Sequence, residues 1–283
     1  MNRELIETVK KEMIENAKIQ NIINRQAKVC GERHILPLKD RDIEIVFYPV
    51  ERLGAPLLVC MHGGGFLFGG CALNDNMFTT MRKLLDVNIV SVGYRKTPEY
   101  MFPCALNDVY DTVEYLYHNY KFGFDRENIS IFGSSAGANL AVTACILGKQ
   151  RGKDYFKNQI LIYPYLDAVI DPEKADPASI VFNELYSTPE ETKNILVSPV
   201  YAKPEEIEGL PPAIIITAEN DILRLGGEMY QEMLHGVGIE SVTYMAKGME
   251  HVFFEKCFME EPTEKILNET NNSLEFINKN YRR

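Results

Sequence analysis

Four short stretches of the chain hold residues whose types and order suit acyl transfer. Gly133-Ser134-Ser135-Ala136-Gly137 fits the pattern G-x-S-x-G. That pattern presents a nucleophilic serine when it forms a sharp turn from a strand into a helix. Here it follows the apolar run 128–132 and opens the helical run 136–148, so Ser135 is placed at the turn and Ser134 is not. His62-Gly63-Gly64-Gly65-Phe66 follows another apolar run, Leu57–Met61. Successive glycines let backbone N–H groups approach a ligand closely, and acyl transfer needs such donors for the oxyanion of its tetrahedral intermediate. A serine hydroxyl also needs a base. Five histidines are available, and His251 lies in the loop after the final strand pattern, 239–245. His62 belongs to the glycine loop, while His34, His118 and His235 read as surface residues. An acid to orient the base is expected at the end of the preceding strand. Ala213–Ala218 is followed by Glu219-Asn220-Asp221, so Asp221 is favoured and Glu219 is its rival. The order Ser135, Asp221, His251 is one of the known orders of a serine triad.

The elements that must hold these groups are legible as an alternation. Residues 43–50 alternate apolar and polar side chains, as in a half-buried strand. Leu57–Met61, 88–94, 128–132, 159–163, Ala213–Ala218 and 239–245 are short apolar runs expected as strands, with helices over 105–120 and 136–148. Strands separated by helices imply a mostly parallel sheet covered on both faces. Residues 2–28 repeat apolar positions every four residues, at Leu5, Val9, Met13 and Ala17, and are expected as an amphipathic helix. Residues 164–212 are rich in Pro, Glu and Asp and carry no strand signal. A connection of that length is usually functional or carries helices of its own. We expect one domain over 1–283, with cap segments at about 1–40 and 164–212 over the carboxyl edge of the sheet.

Composition narrows the class. The chain has 283 residues, 46% hydrophobic and 25% charged, which suits an ordinary globular core. The formal net charge of -10 disfavours nucleic acid and anionic membranes as partners. No stretch approaches the roughly 20 apolar residues of a membrane span. The N-terminal residues lack the pattern of a signal peptide, so a cytoplasmic location is expected. Cys30, Cys60, Cys71, Cys104, Cys145 and Cys257 include no C-x-x-C pair and are expected as reduced thiols. No metal or organic cofactor is implied, and self-association is left open.

The chain resembles the hormone-sensitive-lipase-like carboxylesterase branch of the α/β-hydrolase fold, over about residues 57 to 254. The resemblance is carried by His62 to Phe66, by Tyr94-Arg95-Lys96-Thr97-Pro98-Glu99, and by Phe102-Pro103-Cys104-Ala105-Leu106-Asn107-Asp108-Val109. It continues in Gly133 to Gly137, Ser198-Pro199, Gly209-Leu210-Pro211-Pro212 and Thr217-Ala218-Glu219-Asn220-Asp221-Ile222-Leu223-Arg224. It implies an α/β-hydrolase fold, with a mostly parallel central sheet, helices on both faces and a helical cap. It further implies esters as substrates, an oxyanion hole built from the N–H groups of Gly64, Gly65 and Ala136, and Asp221 as the acid in preference to Glu219. Ser134, Ala138 and Gly93 depart from residues common in that branch. The expected activity is hydrolysis of small, short-acyl esters through an acyl-enzyme. Two alternatives remain: an amide or peptide hydrolase with the same triad, and a non-catalytic small-ligand receptor on the same fold.

Overall fold

In the computed structural model, residues 3–281 are described, apart from 172 and 174. An eight-stranded sheet runs through the middle of the molecule. Its strands are β1 (Glu32–Pro37), β2 (Asp42–Tyr48), β3 (Leu57–Met61), β4 (Asn88–Gly93), β5 (Ile129–Ser134), β6 (Phe156–Ile162), β7 (Ala213–Ala218) and β8 (Val242–Ala246). They lie in the order β1-β2-β4-β3-β5-β6-β7-β8. β2 is antiparallel to both β1 and β4, and all other neighbours are parallel.

The burial of each strand follows its composition. β3, β5 and β7 are buried along their whole length, as apolar runs covered on both faces must be. Within β3, Leu57, Val59 and Met61 face one core layer while Leu58 and Cys60 face the other, the two-residue period of a strand. Helices α3 (Cys104–His118) and α4 (Ala136–Gln150) cover the first face, joined by α7 (Arg224–Gly236). Helices α2 (Asp75–Leu85), α8 (Phe253–Met259) and α9 (Glu264–Tyr281) cover the second. α4 is buried on every side from residue 136 to 148, which accounts for its lack of a polar face.

The N-terminal helix α1 (Arg3–Gln26) forms as expected among the described residues, with Met13 and Ala17 buried and Val9 partly so, whereas Leu5 is exposed and Ile6 is buried in its place. The described residues of 164–212 contain no strand and do carry helices, α5 (Pro177–Tyr186) and α6 (Pro204–Ile207). Ile6, Met13 and Ala17 of α1 bury against Ile180, Val181 and Leu185 of α5, together with Leu67 from the glycine loop. One boundary differs from expectation. Residues 32–37 fall inside the stretch expected as cap, yet they form β1, in register with β2 from Glu32↔Phe47 to Pro37↔Asp42. Glu32, Arg33 and His34 mask the strand locally, and pairing supplies what propensity lacks.

Candidate active site

The geometry at Ser135 begins with a backbone that few residues adopt. Ser135 sits between β5 and α4 with φ 52 and ψ -119. Positive φ costs energy for a residue with a Cβ, so the surroundings must impose it. Its N–H donates to the Ile162 carbonyl at 2.9 Å, and its own carbonyl accepts from Ala138 at 3.0 Å and Tyr165 at 3.2 Å. The flanking glycines make the turn close enough. A Cβ on Gly133 would lie 2.1 Å from the Gly137 carbonyl oxygen, and one on Gly137 would lie 2.3 Å from that of Met61.

The turn brings Ser135 Oγ to 3.0 Å from His251 Nε2, and His251 Nδ1 lies 2.6 Å from Asp221 Oδ2. A carboxylate only accepts, so Nδ1–H donates to Asp221; the neutral ring then accepts the serine hydroxyl at Nε2. The Asp221 side chain is fully buried, and its other oxygen accepts from the Leu223 N–H at 2.9 Å. Tyr163 sets its ring edge-on to His251, with centroids 4.7 Å apart. The loop carrying His251 is tied to the end of β7 by Glu219 N–H to the Ala246 carbonyl and by Asn220 N–H to that of Met249. Glu219, the rival acid, does not reach His251. Its carboxylate accepts from the Gly248 N–H at 2.6 Å and braces the loop instead.

The glycine loop lies beside this array. A Cβ on Gly63 would fall 3.5 Å from Ser135 Cβ, so the two backbones are in contact. Gly64 and Gly65 have φ of 114 and 59, the left-handed region that favours glycine. No backbone acceptor among the described residues takes either N–H, and Ala136 opens α4, where N–H groups have no acceptor within the helix. Phe182 of α5 lies directly over Gly65, its ring 2.2 Å from where a Cβ would stand. His62 is buried, stacked on Tyr94 at 4.2 Å and 2.8 Å from the Gly63 carbonyl through Nδ1. Burial, reinforced by Lys96, lowers its pKa to about 3. It is therefore a neutral brace of the loop.

The other histidines follow the expectation in part. His118 and His235 are exposed, whereas His34 is half-buried with its ring edge-on to Phe122 at 5.2 Å. All six cysteines are free thiols. No helix among the described residues is long and apolar enough to cross a membrane.

Several contributors escape a reading of motifs. Gln20 and Asn24 of α1 reach the glycine loop and its continuation: Gln20 accepts from Gly69 N–H at 2.6 Å and Asn24 from Ala72 N–H at 3.0 Å, while Asn21 accepts from Lys96. Their one available signal is the four-residue spacing of Gln20 and Asn24, which puts both on one face of the helix. Glu255 is a buried carboxyl on α8 whose pKa burial raises to about 7. Nothing in its local sequence marks it.

The chain is similar to several known proteins. A family model described as alpha/beta hydrolase fold matches residues 58–255. An arylesterase of Saccharolobus solfataricus is 27% identical over 239 residues, covering 79% of this chain and 77% of the relative. A carboxylesterase of Mycobacterium tuberculosis is 29% identical over 215 residues, covering 71% of this chain and 67% of the relative. The solved structure of a Pyrobaculum calidifontis esterase superposes with a TM-score of 0.81 at 29% identity, covering 99% of this chain and 92% of that one.

Proposed function

Because the chain belongs to the α/β-hydrolase fold family and is a carboxylic ester hydrolase within it, we propose that Ser135, His251 and Asp221 carry its reaction on short-acyl esters. The single observation behind this assignment is the continuous path of hydrogen bonds from Ser135 Oγ through His251 to Asp221, at 3.0 and 2.6 Å. His251 Nε2 takes the serine proton as Oγ bonds to the ester carbonyl carbon. Asp221 holds the ring in the required tautomer and stabilises the imidazolium. The N–H groups of Gly64, Gly65 and Ala136 receive the oxyanion. The C–O bond to the leaving alcohol then breaks, and His251 returns its proton to that oxygen. Water repeats the sequence on the acyl-enzyme and releases the carboxylic acid.

Short acyl chains are supported by Phe182, whose ring occupies space beside Gly65. In this reading α1 and residues 164–212 form a cap on one α/β domain spanning 1–283. All the groups named come from one chain, so the reaction requires no second copy, nucleic acid or bilayer, and we place it in the cytoplasm. Each buried methylene contributes about 0.8 kcal/mol until the pocket is full. The test uses p-nitrophenyl esters below their micelle concentrations, with matched anilides. We expect kcat/KM to peak among the shorter chains, to fall for the longest, and to favour esters over anilides. Ser135→Ala should lower kcat by roughly four powers of ten while leaving the fold intact. Turnover retained at a few per cent in that variant, with contamination excluded, would mean another nucleophile.

A further inference from the structure

We propose that Lys96 is a positioning residue that clamps the Gly69 end of the glycine loop to α1 and thereby aims the Gly65 N–H at the reacting carbonyl. The proposal rests on the reading of Gly64 and Gly65 as oxyanion donors. Lys96 lies just after β4. Its Nζ donates to the Asn21 side-chain carbonyl on α1 at 2.5 Å and to the Gly69 backbone carbonyl. Gly69 is held from three sides: Lys96 on its carbonyl, Gln20 on its N–H, and the His62 ring 2.2 Å from the place of its missing Cβ.

The link from Gly69 back to the reacting centre is short. The N–H groups of Leu67 and Phe68 both donate to the Gly64 carbonyl, at 3.1 and 2.8 Å. The Gly64 carbonyl and the Gly65 N–H belong to one planar trans peptide and point in opposite directions. Fixing the carbonyl therefore fixes the N–H. On the other strand of the loop, Thr97 N–H donates to the Phe66 carbonyl at 3.0 Å. The segment 94–97 and α1 thus grip residues 62–70 between them, and Lys96 is the side chain that touches both.

An ammonium is a costly choice for this place. Both of its partners are neutral oxygens, and burying a charge without an opposite charge is unfavourable. The cost is visible in its pKa, which burial lowers to about 8; Arg25 adds to the lowering and Cys71 opposes it, while His62 is held neutral opposite. An apolar side chain of similar volume would fill the space without that penalty. What it would lack is a donor reaching two carbonyls on two elements at once.

The experiment compares native enzyme with Lys96→Met, Lys96→Arg and Asn21→Leu. Two measurements are made: turnover of p-nitrophenyl acetate, and the rate of p-nitrophenolate release from diethyl p-nitrophenyl phosphate. In the second reaction Ser135 Oγ bonds to phosphorus, p-nitrophenolate leaves, and the serine proton passes to His251. Stoichiometric release by native enzyme, absent in Ser135→Ala, tests the assignment of the site; its absence in native enzyme defeats that assignment and leaves Lys96 without a role. Given the native release, Lys96→Met is expected to lower kcat and the phosphorylation rate together by about ten- to a hundredfold, as misplacement of the order of an ångström does. KM should change less than kcat, Lys96→Arg should recover part of the loss, and Asn21→Leu should show a smaller loss of the same pattern. A folded Lys96→Met enzyme that phosphorylates within about twofold of native overturns the proposal. If Lys96→Met is not recovered folded, Asn21→Leu decides by the same twofold criterion.

Discussion

Asp221 and Glu219 stand two residues apart at the end of one strand, and only their contacts separate them. Asp221 meets His251 Nδ1, whereas Glu219 meets a loop N–H. Asp221→Asn should therefore lower kcat by about a thousandfold or more, since an amide there favours the wrong ring tautomer. Glu219→Gln keeps a carbonyl oxygen to accept the Gly248 N–H and loses only the charge, a change worth about 1 kcal/mol, and should cost no more than about fivefold. Steady-state kinetics on p-nitrophenyl acetate distinguishes the two. Glu255 gives a prediction about stability instead. Burial raises its pKa from 4.5 in the unfolded reference to about 7, and its Oε2 has no hydrogen-bond partner among the described residues. Between those two values the folded chain binds more protons than the unfolded chain, so stability falls as pH rises through the window and levels off above it. The loss is roughly 3 kcal/mol from the pKa difference. Glu255→Gln should melt higher than native at pH 8, with the gain shrinking toward pH 4.5; a gain independent of pH would assign the effect to packing.

At the scale of elements, the turn between β5 and α4 depends on backbone proximity. Gly137→Ala would drive a methyl group into the Met61 and His62 carbonyls, 2.3 and 2.5 Å away. Neither belongs to a flexible side chain, so the variant should lose both activity and soluble yield, read by circular dichroism and expression. The sheet itself was legible. β3 and β7 match their expected spans, because runs of five or six residues that are apolar but for Thr217 leave no other use for them. β1 was not, because three polar residues open it and its stability comes from β2. The same division holds within the site. Ser135, Asp221 and His251 announce themselves by motif and order. Lys96 and Asn21, 75 residues apart, meet only because α1 folds back over the loop after β3. No local pattern encodes that encounter.

For the molecule as a whole, the groups at Ser135 stand on the sheet, and α1 packs beside them on α5 and on Leu67 of the glycine loop. Ser135, Asp221, His251 and the glycine loop stand at the carboxyl ends of β5, β7, β8 and β3, which run parallel in a sheet packed on both faces. α1 reaches the same place with a small apolar contact of its own, centred on Ile6, Met13 and Ala17. A chain lacking residues 1–28 should therefore retain a cooperative melt from the sheet and its helices. It should lose most ester turnover, and it should bind a hydrophobic dye at the uncovered Ile180, Val181 and Leu185. Equal turnover with and without α1 would mean that the sheet and its helices alone orient the loop.

The placement of Phe182 bears on how this scaffold can be redirected in the laboratory. Around Ser135 almost every position is locked by backbone contact, from Gly133 and Gly137 to the residues of the glycine loop, and diversity introduced there would be spent on broken folds. On α5, Ile180, Val181 and Leu185 are likewise committed to holding α1. Phe182 is half-buried at the margin of that cluster and reaches Gly65, with its ring edge-on to Phe68. Its ring over Gly65 is a side chain, not backbone, so bulk there can be traded against the size of the guest at a smaller cost than in the locked turn. A small saturation library at position 182, screened in parallel on acetate and octanoate esters, should yield variants whose chain-length preference moves while their melting temperatures do not.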